Sequence, residues 1–553
     1  MEIRMVPHFW KRMLSGAAAL FCCSAAVWAQ NAVDVKILAI NDLHGQITTG
    51  PKVSNRPVGG AAVLASYLES AQRGWEKRCI LVEAGDLIGA SQAECALLQD
   101  EPAIMLMNYL NGTMQVVGAL GNHELDRGIP ELMRLIKGGN HDDGPFLQDP
   151  WQGATFPMIN ANMIDTGTGF PVFNPFWILT IPEIDVPIAF IGIAPKETPS
   201  MVPASSIRGL KFVDEIKTVN HYVSMLRDVL GIHAFVVLFH QGGSQMPYAG
   251  WTDTLKPGPS ADIVALASQL DEDVDVVCTA HTHNFTNAII RRKNGRTLLL
   301  TQAYSKGVTY AEIVCTVDKS TRGITAKKAQ IVSVWGDEGP GLSPDPVMAA
   351  LVDTCKRRVA HQTERVIGLA KTAIARQQTS AGESALGDLI ADAQRAAMRT
   401  DFAMMNPGGI RSDLGAGPIT WGALHATQPF RDYLVKMNLT GQQIYMALNQ
   451  QWAGQPHAKM LETSGLAYTW ANHLPIGNRV VQIRKNGVPI DRSATYSITV
   501  NSFLAGGGDN FTAFLNGTDL IKGPNDLDAL VSYVKSFMQP INRSVEGRAV
   551  QLH

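Results

Sequence analysis

The sequence predicts an α/β domain followed by a smaller α+β domain. Three observations carry that expectation. The chain has 553 residues, too many for one compact core. Between residues 31 and 341, short β-branched apolar runs alternate with helical patterns, the order of an α/β layered domain. A Gly- and Pro-containing stretch at residues 335–346 ends that alternation and reads as a boundary.

Taken in order, the chain begins as an export signal. Arg4, Lys11 and Arg12 form a basic start, residues 13–28 are mostly apolar, and Val27 and Ala29 offer a small-residue cleavage site. The apolar run is short for a membrane span, so cleavage would leave no stable membrane insertion. Phe21 stands before Cys22 and Cys23 where a lipoprotein needs a small residue. The C-terminus shows no apolar tail of the kind an anchor needs. The expected location is periplasmic or secreted. Export permits disulfides. Five of the seven cysteines remain after residue 29, namely Cys79, Cys95, Cys278, Cys315 and Cys355. Cys79 with Cys95 is the expected bridge.

Residues 35–40, 80–83, 116–120, 188–193, 235–239 and 274–279 read as buried strands. Residues 61–74 and 214–230 read as intervening helices. A helix is expected from 346 to about 363, bridging two halves, and another opens at 383–393. Residues 406–409 and 506–509 are loops. The expected division is a leader at 1–29, a catalytic domain at 30–341, a linker helix at 342–364 and a second domain at 365–553. With 17% charged residues and a net charge of −2, the chain is globular and has no global pull toward nucleic acid or an anionic membrane.

Chemistry-bearing residues recur where apolar runs end. Asn41-Asp42-Leu43-His44-Gly45, Gly85-Asp86, Gly121-Asn122-His123-Glu124-Leu125-Asp126, His240-Gln241-Gly242-Gly243 and Ala280-His281-Thr282-His283 all obey this rule. Hard carboxylates, amide oxygens and imidazoles suit divalent Zn, Mn, Co or Fe, and their identity is open. Asp42, His44 and His283 would form one site, and Asn122, His240 and His281 the other, with Asp86 bridging. Two such ions hold a hydroxide and stabilise attacking and leaving oxygens, which implies phosphoester hydrolysis. His123 stands apart from the ligands. Asp126, three residues on, would orient it and keep it cationic for the transition state or leaving oxygen. Each motif alone is a common turn; their recurrence in one domain carries the reading. His233 reads as structural, and His141, His361, His425, His457 and His473 have no assigned role.

At these residues the chain resembles the exported 5'-nucleotidase and UDP-sugar hydrolase family of calcineurin-like metallophosphoesterases. Residues 41–45 are similar to N-D-x-H-G, 121–126 to G-N-H-E-F-D with Leu125 for Phe, and 280–283 to G-H-x-H with Ala280 for Gly. The resemblance implies a calcineurin-like β-sandwich flanked by helices, then a substrate-binding α+β domain. Residues 406–411 resemble N-x-G-G-I-R. By that resemblance Arg411 binds phosphate and Asn406 a base edge. Phe430 and Phe503 sandwich the base, Asp509 bonds ribose, and Arg376 is a second phosphate contact. The family's P-F-x-N is replaced by Pro429-Phe430-Arg431-Asp432, and Asn510 stands where Gly is usual, so base preference and leaving-group scope are open. The resemblance also implies domain rotation about a hinge near 347–363.

The implied partner is a small-molecule nucleotide, with no nucleic acid; oligomeric state is open. Alternatives within the superfamily are a UDP-sugar hydrolase, a 2',3'-cyclic-nucleotide phosphodiesterase and a dimanganese thiosulfohydrolase. A non-catalytic nucleotide-binding surface protein is the alternative of another class.

Overall fold

The computed structural model describes residues 31–50, 52–246, 248, 250–252, 258–455 and 457–552. The expected leader, with Cys22 and Cys23, lies outside the described residues. No helix among the described residues is long and apolar enough to cross a membrane.

The first half folds as two stacked six-stranded sheets. In one, the parallel strands β1 (Ala32–Ile40), β2 (Cys79–Glu83) and β3 (Gln115–Ala119) lie side by side. In the other, β4 (Phe235–Phe239) and β5 (Val274–Thr279) are parallel neighbours. Ile37, Val82 and Val117 from the first sheet meet Val236, Leu238 and Val276 from the second in one fully buried core. Both faces of β2, β4 and β5 are covered, which is why their sequences are mostly apolar, with the buried Asp275 of β5 paired to Lys327. The helix expected from 61 runs Ala61–Gln72. The one expected from 214 runs Glu215–Leu230, capped by Asp214, whose side chain accepts from Lys217 N.

The helix Pro346–Thr363 does more than bridge. Its Met348, Val352, Cys355 and Val359 join the core of the first domain beside Leu64 and Leu106. Beyond it lies an α+β layer built on a five-stranded sheet in the order Glu462–Ser464, Phe402–Met405, Thr495–Asn501, Tyr433–Thr440, Thr518–Asn525. Strands Phe402–Met405 and Thr495–Asn501 are parallel, so the loops after them emerge together. Tyr433–Thr440 is antiparallel to the latter, with Leu434 opposite Asn501, which brings the segment before it to the same edge. Asn406, Phe430 and Phe503 gather there by topology alone.

The expected Cys79–Cys95 bridge is absent. All five described cysteines are free and buried. Cys79 is the first residue of β2, and Cys95 lies in the short helix Ala93–Ala96. Burial pushes both thiols well above their ordinary range, Cys79 to about 12, so they pack as small apolar groups. A protein of residues 31–553 is therefore expected to show no thiol to Ellman's reagent when native and five when unfolded, with a melting temperature that reductant leaves unchanged. A titre short by two in the unfolded protein would restore the bridge.

Candidate functional site

The five polar motifs sit at the C-terminal ends of β1 to β5, and the sheets' parallel order aims them at one point. Asp42 N donates to Gly85 O at 3.0 Å and His44 N to Asp86 O at 2.9 Å, lacing the turns after β1 and β2 together. Of the seven expected ligands, Asp42, His44, Asp86, His281 and His283 have positive φ, between 49° and 72°. Non-glycine residues avoid that region, and such strain concentrates where side chains are held for function.

Two donor clusters result. Asp42, His44 and His283 converge in one, and Asp86, His240 and His281 in the other. The carboxylate of Asp86 faces both, with Oδ2 3.0 Å from His240 Nε2 and 3.8 Å from His44 Nε2. His44 Nδ1 bonds Gly89 O at 2.8 Å and His240 Nδ1 bonds Ala84 O at 2.9 Å, so each turns its Nε2 to the centre. His44 Nε2 then faces His283 Nε2 at 3.0 Å, close enough for both to hold one cation. Asn122 Oδ1 is buried without a hydrogen-bond partner, as a ligand awaiting an ion would be. Burial holds His44 well below its ordinary pKa, and burial with His240 takes His281 to about 4, leaving both as neutral donors. At His240 burial opposes charge, but Asp86 outweighs it and lifts the imidazole to about 10. The carboxylate demands a cation there, proton or metal. This oxygen–nitrogen set fits two divalent ions.

Gly121 makes the close approach possible. A Cβ there would stand 2.2 Å from Asp86 Oδ1 and 2.6 Å from His240 Cε1. Behind the ligands sits a carboxylate that sequence reasoning passed over. Glu124 accepts from Gly121 N at 2.6 Å, Asp86 N at 3.0 Å and Ile88 N at 3.3 Å, pinning the β2 and β3 turns to each other. Its place inside the 121–126 motif was the available signal.

His123 lies outside both clusters. Asp126 Oδ1 and Oδ2 are each 3.0 Å from its Nδ1, and Ala90 N donates to Asp126 Oδ2 at 3.0 Å. Burial works against charge on His123, but Asp126 and then Asp86 prevail and raise it above the ordinary range. Its ring stacks on Phe430 with centroids 5.6 Å apart and planes 18° off parallel, a contact across the two domains.

One cavity joins the halves. Asn122, His123, Asp126 and His281 line one end; Asn406, Arg411, Phe430, Phe503 and Asp509 line the rest. The Arg411 guanidinium lies 5.8 Å from the Phe430 ring centre. Arg376 does not reach this cavity: its backbone N donates to Asp413 and its Nη1 to Ile410 O at 3.4 Å. The resemblance gave it a phosphate role, and the structure leaves it off the cavity's lining. Asn406 and Asp509 are tied together, Asn406 Nδ2 donating to Asp509 Oδ2 at 3.0 Å. Two unforeseen residues complete that network. Lys459 Nζ donates to Asp509 Oδ1 at 2.5 Å, and Asn501 Nδ2 to Asn406 Oδ1 at 3.0 Å. Asn501 adjoins the Ser502-Phe503 segment; Lys459 stands in no motif. Asn510 occurs at φ 61°, the left-handed conformation for which glycine is usual and asparagine is tolerated.

Asp432 lines the cavity and accepts from Ser502 Oγ at 2.6 Å. Burial pushes it up to about 6, and the Asp126 charge adds to this. A carboxyl raised on folding supports the fold below about pH 4 and loses that support as pH rises through about 6. Asp432→Asn is therefore expected to raise stability at neutral pH by about 2 kcal/mol, discounted for its partial exposure. The gain should vanish near about pH 4. Melting curves of both proteins across that range test it; a constant offset would contradict it.

Residues 35–285 match the calcineurin-like phosphoesterase family, and residues 360–516 match the 5'-nucleotidase C-terminal domain. Over 528 residues the chain is 35% identical to endonuclease YhcR of Bacillus subtilis, covering 94% of this chain and 41% of that protein. It thus spans less than half of that relative's length. It is 33% identical over 575 residues to cell wall protein Lmo0130 of Listeria monocytogenes, covering 97% of this chain and 71% of that one. In fold it is similar to a 5'-nucleotidase precursor from Thermus thermophilus, with a TM-score of 0.79, 24% identity and coverage of 94% and 99%. With its phosphoesterase sandwich first and its nucleotidase-type domain second, the chain belongs to the 5'-nucleotidase family of calcineurin-like phosphoesterases.

Proposed function

We propose that this chain is an exported dimetal 5'-nucleotidase that releases phosphate from nucleoside 5'-phosphates. The observation that carries the reading is the cavity itself, which joins Asn122, His123 and His281 to Arg411, Phe430 and Phe503 across two domains. Asp42, His44 and His283 would hold one ion, and Asn122, His240 and His281 the other, with Asp86 shared. When bound, two divalent ions lower the pKa of water and neutralise phosphoryl charge. The chain's own residues do the rest. Arg411 binds non-bridging phosphoryl oxygens, and Phe430 and Phe503 stack on the base. Asn406 and Asp509, held by Asn501 and Lys459, present a fixed polar edge to the nucleoside. His123, oriented by Asp126, holds a proton for the departing 5' oxygen. Export rests on the basic and apolar start of the sequence, and the domain limits 30–341, 342–364 and 365–553 are part of the same proposal.

A second reading, cleavage of a phosphodiester, is favoured by the name of the endonuclease relative and by a separate cleft described below. The nucleoside role is tested by Phe430→Ala and Phe503→Ala. Each is expected to raise KM for AMP by about tenfold or more while leaving kcat/KM for bis-p-nitrophenyl phosphate within about twofold. Equal losses on both substrates would remove the nucleoside from the account.

A further inference from the structure

A second cleft, of about 340 Å³, adjoins the donor clusters through His44 and shares Arg411 with the main cavity. Thr48, Ser91, Lys306 and Ser412 also line it. Its lining contains two cationic side chains, several hydroxyls and amides, and no carboxylate. A third cleft, beside His123 and Phe430, makes the contrast: Asp100, Glu124, Asp126, Glu131 and Asp143 all line it. Arg127 and Arg431 share that lining with the acids, whereas the second cleft holds cations without acids and so draws an anion.

Lys306 is the telling residue. It sits in a left-handed turn at φ 58°, tied by its backbone N to Asp42 O at 2.8 Å. The side chain is half-buried, and among the described residues its ammonium has neither a carboxylate nor a hydrogen-bond partner. The Arg411 guanidinium lines the same cleft, so two cationic side chains share it and no acid lines it. Ser91 Oγ, in the same cleft, is buried at 3% exposure and has no partner. Unpaired buried cations and hydroxyls cost stability unless a ligand meets them.

We propose that this cleft is a subsite for a second phosphate, carried on the 3'-linked arm of a phosphodiester whose 5'-linked nucleoside occupies the main cavity. The inference rests on the nucleoside-binding reading above. An AMP phosphoryl group has one ester arm, and that arm lies in the main cavity. A diester has two, and the acid-free cleft is where the second passes. In the reaction water's oxygen bonds to phosphorus and the bond to the nucleoside 5' oxygen breaks. Its electron pair stays on that oxygen, which takes a proton. The products are a nucleoside and a chain ending in a 3'-phosphate. The leaving oxygen is the same as for AMP, so the His123 assignment carries over. The substrate class is short oligonucleotide 3' ends with a further phosphate one nucleotide away.

The test compares AMP, the deoxyadenosine dinucleotide and its 5'-phosphorylated form, in the wild-type metal-loaded enzyme and in Lys306→Ala, Lys306→Gln and Lys306→Arg. Wild type is expected to prefer the 5'-phosphorylated dinucleotide by about tenfold in kcat/KM, read as initial release of deoxyadenosine from the diester and not as inorganic phosphate. Lys306→Ala and Lys306→Gln should abolish that preference, Lys306→Arg should restore it, and AMP turnover should hold throughout. Calorimetric binding of both dinucleotides to the chelated protein should show the same preference and the same loss. No preference in wild type, or one that survives Lys306→Ala, overturns the subsite even if AMP is hydrolysed well. Cleavage of both dinucleotides with AMP inert would instead overturn the 5'-nucleotidase reading and leave the subsite standing.

Discussion

Asp86→Asn is expected to reduce metal-dependent phosphate release by about a thousandfold or more and to lower bound metal below two ions per chain. The substitution keeps size and shape. Asparagine can still accept the hydrogen bond that His123 N gives Asp86 Oδ1 at 2.8 Å, so the turn should survive. What disappears is the one charge that faces His240 at 3.0 Å and His44 at 3.8 Å. Metal content by mass spectrometry, a melting curve and a phosphate assay read the three consequences separately. An Asp86→Asn protein with two ions and normal turnover would remove Asp86 from the bridge. Gly121→Ala should produce a similar loss by another route, since the added methyl group takes the space of Asp86 Oδ1 and His240.

His123→Ala is expected to lower kcat by about a hundredfold to ten-thousandfold while both ions stay bound. The imidazole is in neither donor cluster, so metal binding should not depend on it. KM for AMP should change less than kcat, because His123 acts on the departing oxygen while Arg411 and Phe503 still hold the nucleotide. Asp126→Asn acts through His123 and should lower kcat less, with KM unchanged; a purely structural role would move both together. Full activity in His123→Ala at full metal occupancy would leave the proton to another group.

Most of the first domain was legible because its signal is local. Each of β1 to β5 is a buried apolar run with a polar turn directly after it, and parallel order gathers such turns on one side. Two helix starts were legible near 214 and 383, and the structure shows Asp214 and Ser384 capping them. The remainder depends on contacts between distant residues. Asn406 meets Asp509 across 103 positions, and Lys459 completes that pair from a segment with no motif. Lys306 stands in no motif, and only the folded structure gathers Arg411 and Ser91 with it around one acid-free cleft. The Cys79–Cys95 bridge failed because sequence spacing says nothing of where two sulfurs point, and both pack into one apolar core.

Phosphate release from AMP by residues 31–553 tests the central claim most directly, measured with added Mn²⁺, after chelation and after metal is returned. The expected result is turnover that chelation abolishes and added metal restores, with AMP and UMP preferred to bis-p-nitrophenyl phosphate. Turnover that survives complete metal removal, or none on any nucleotide with two ions bound, would contradict the dimetal nucleotidase.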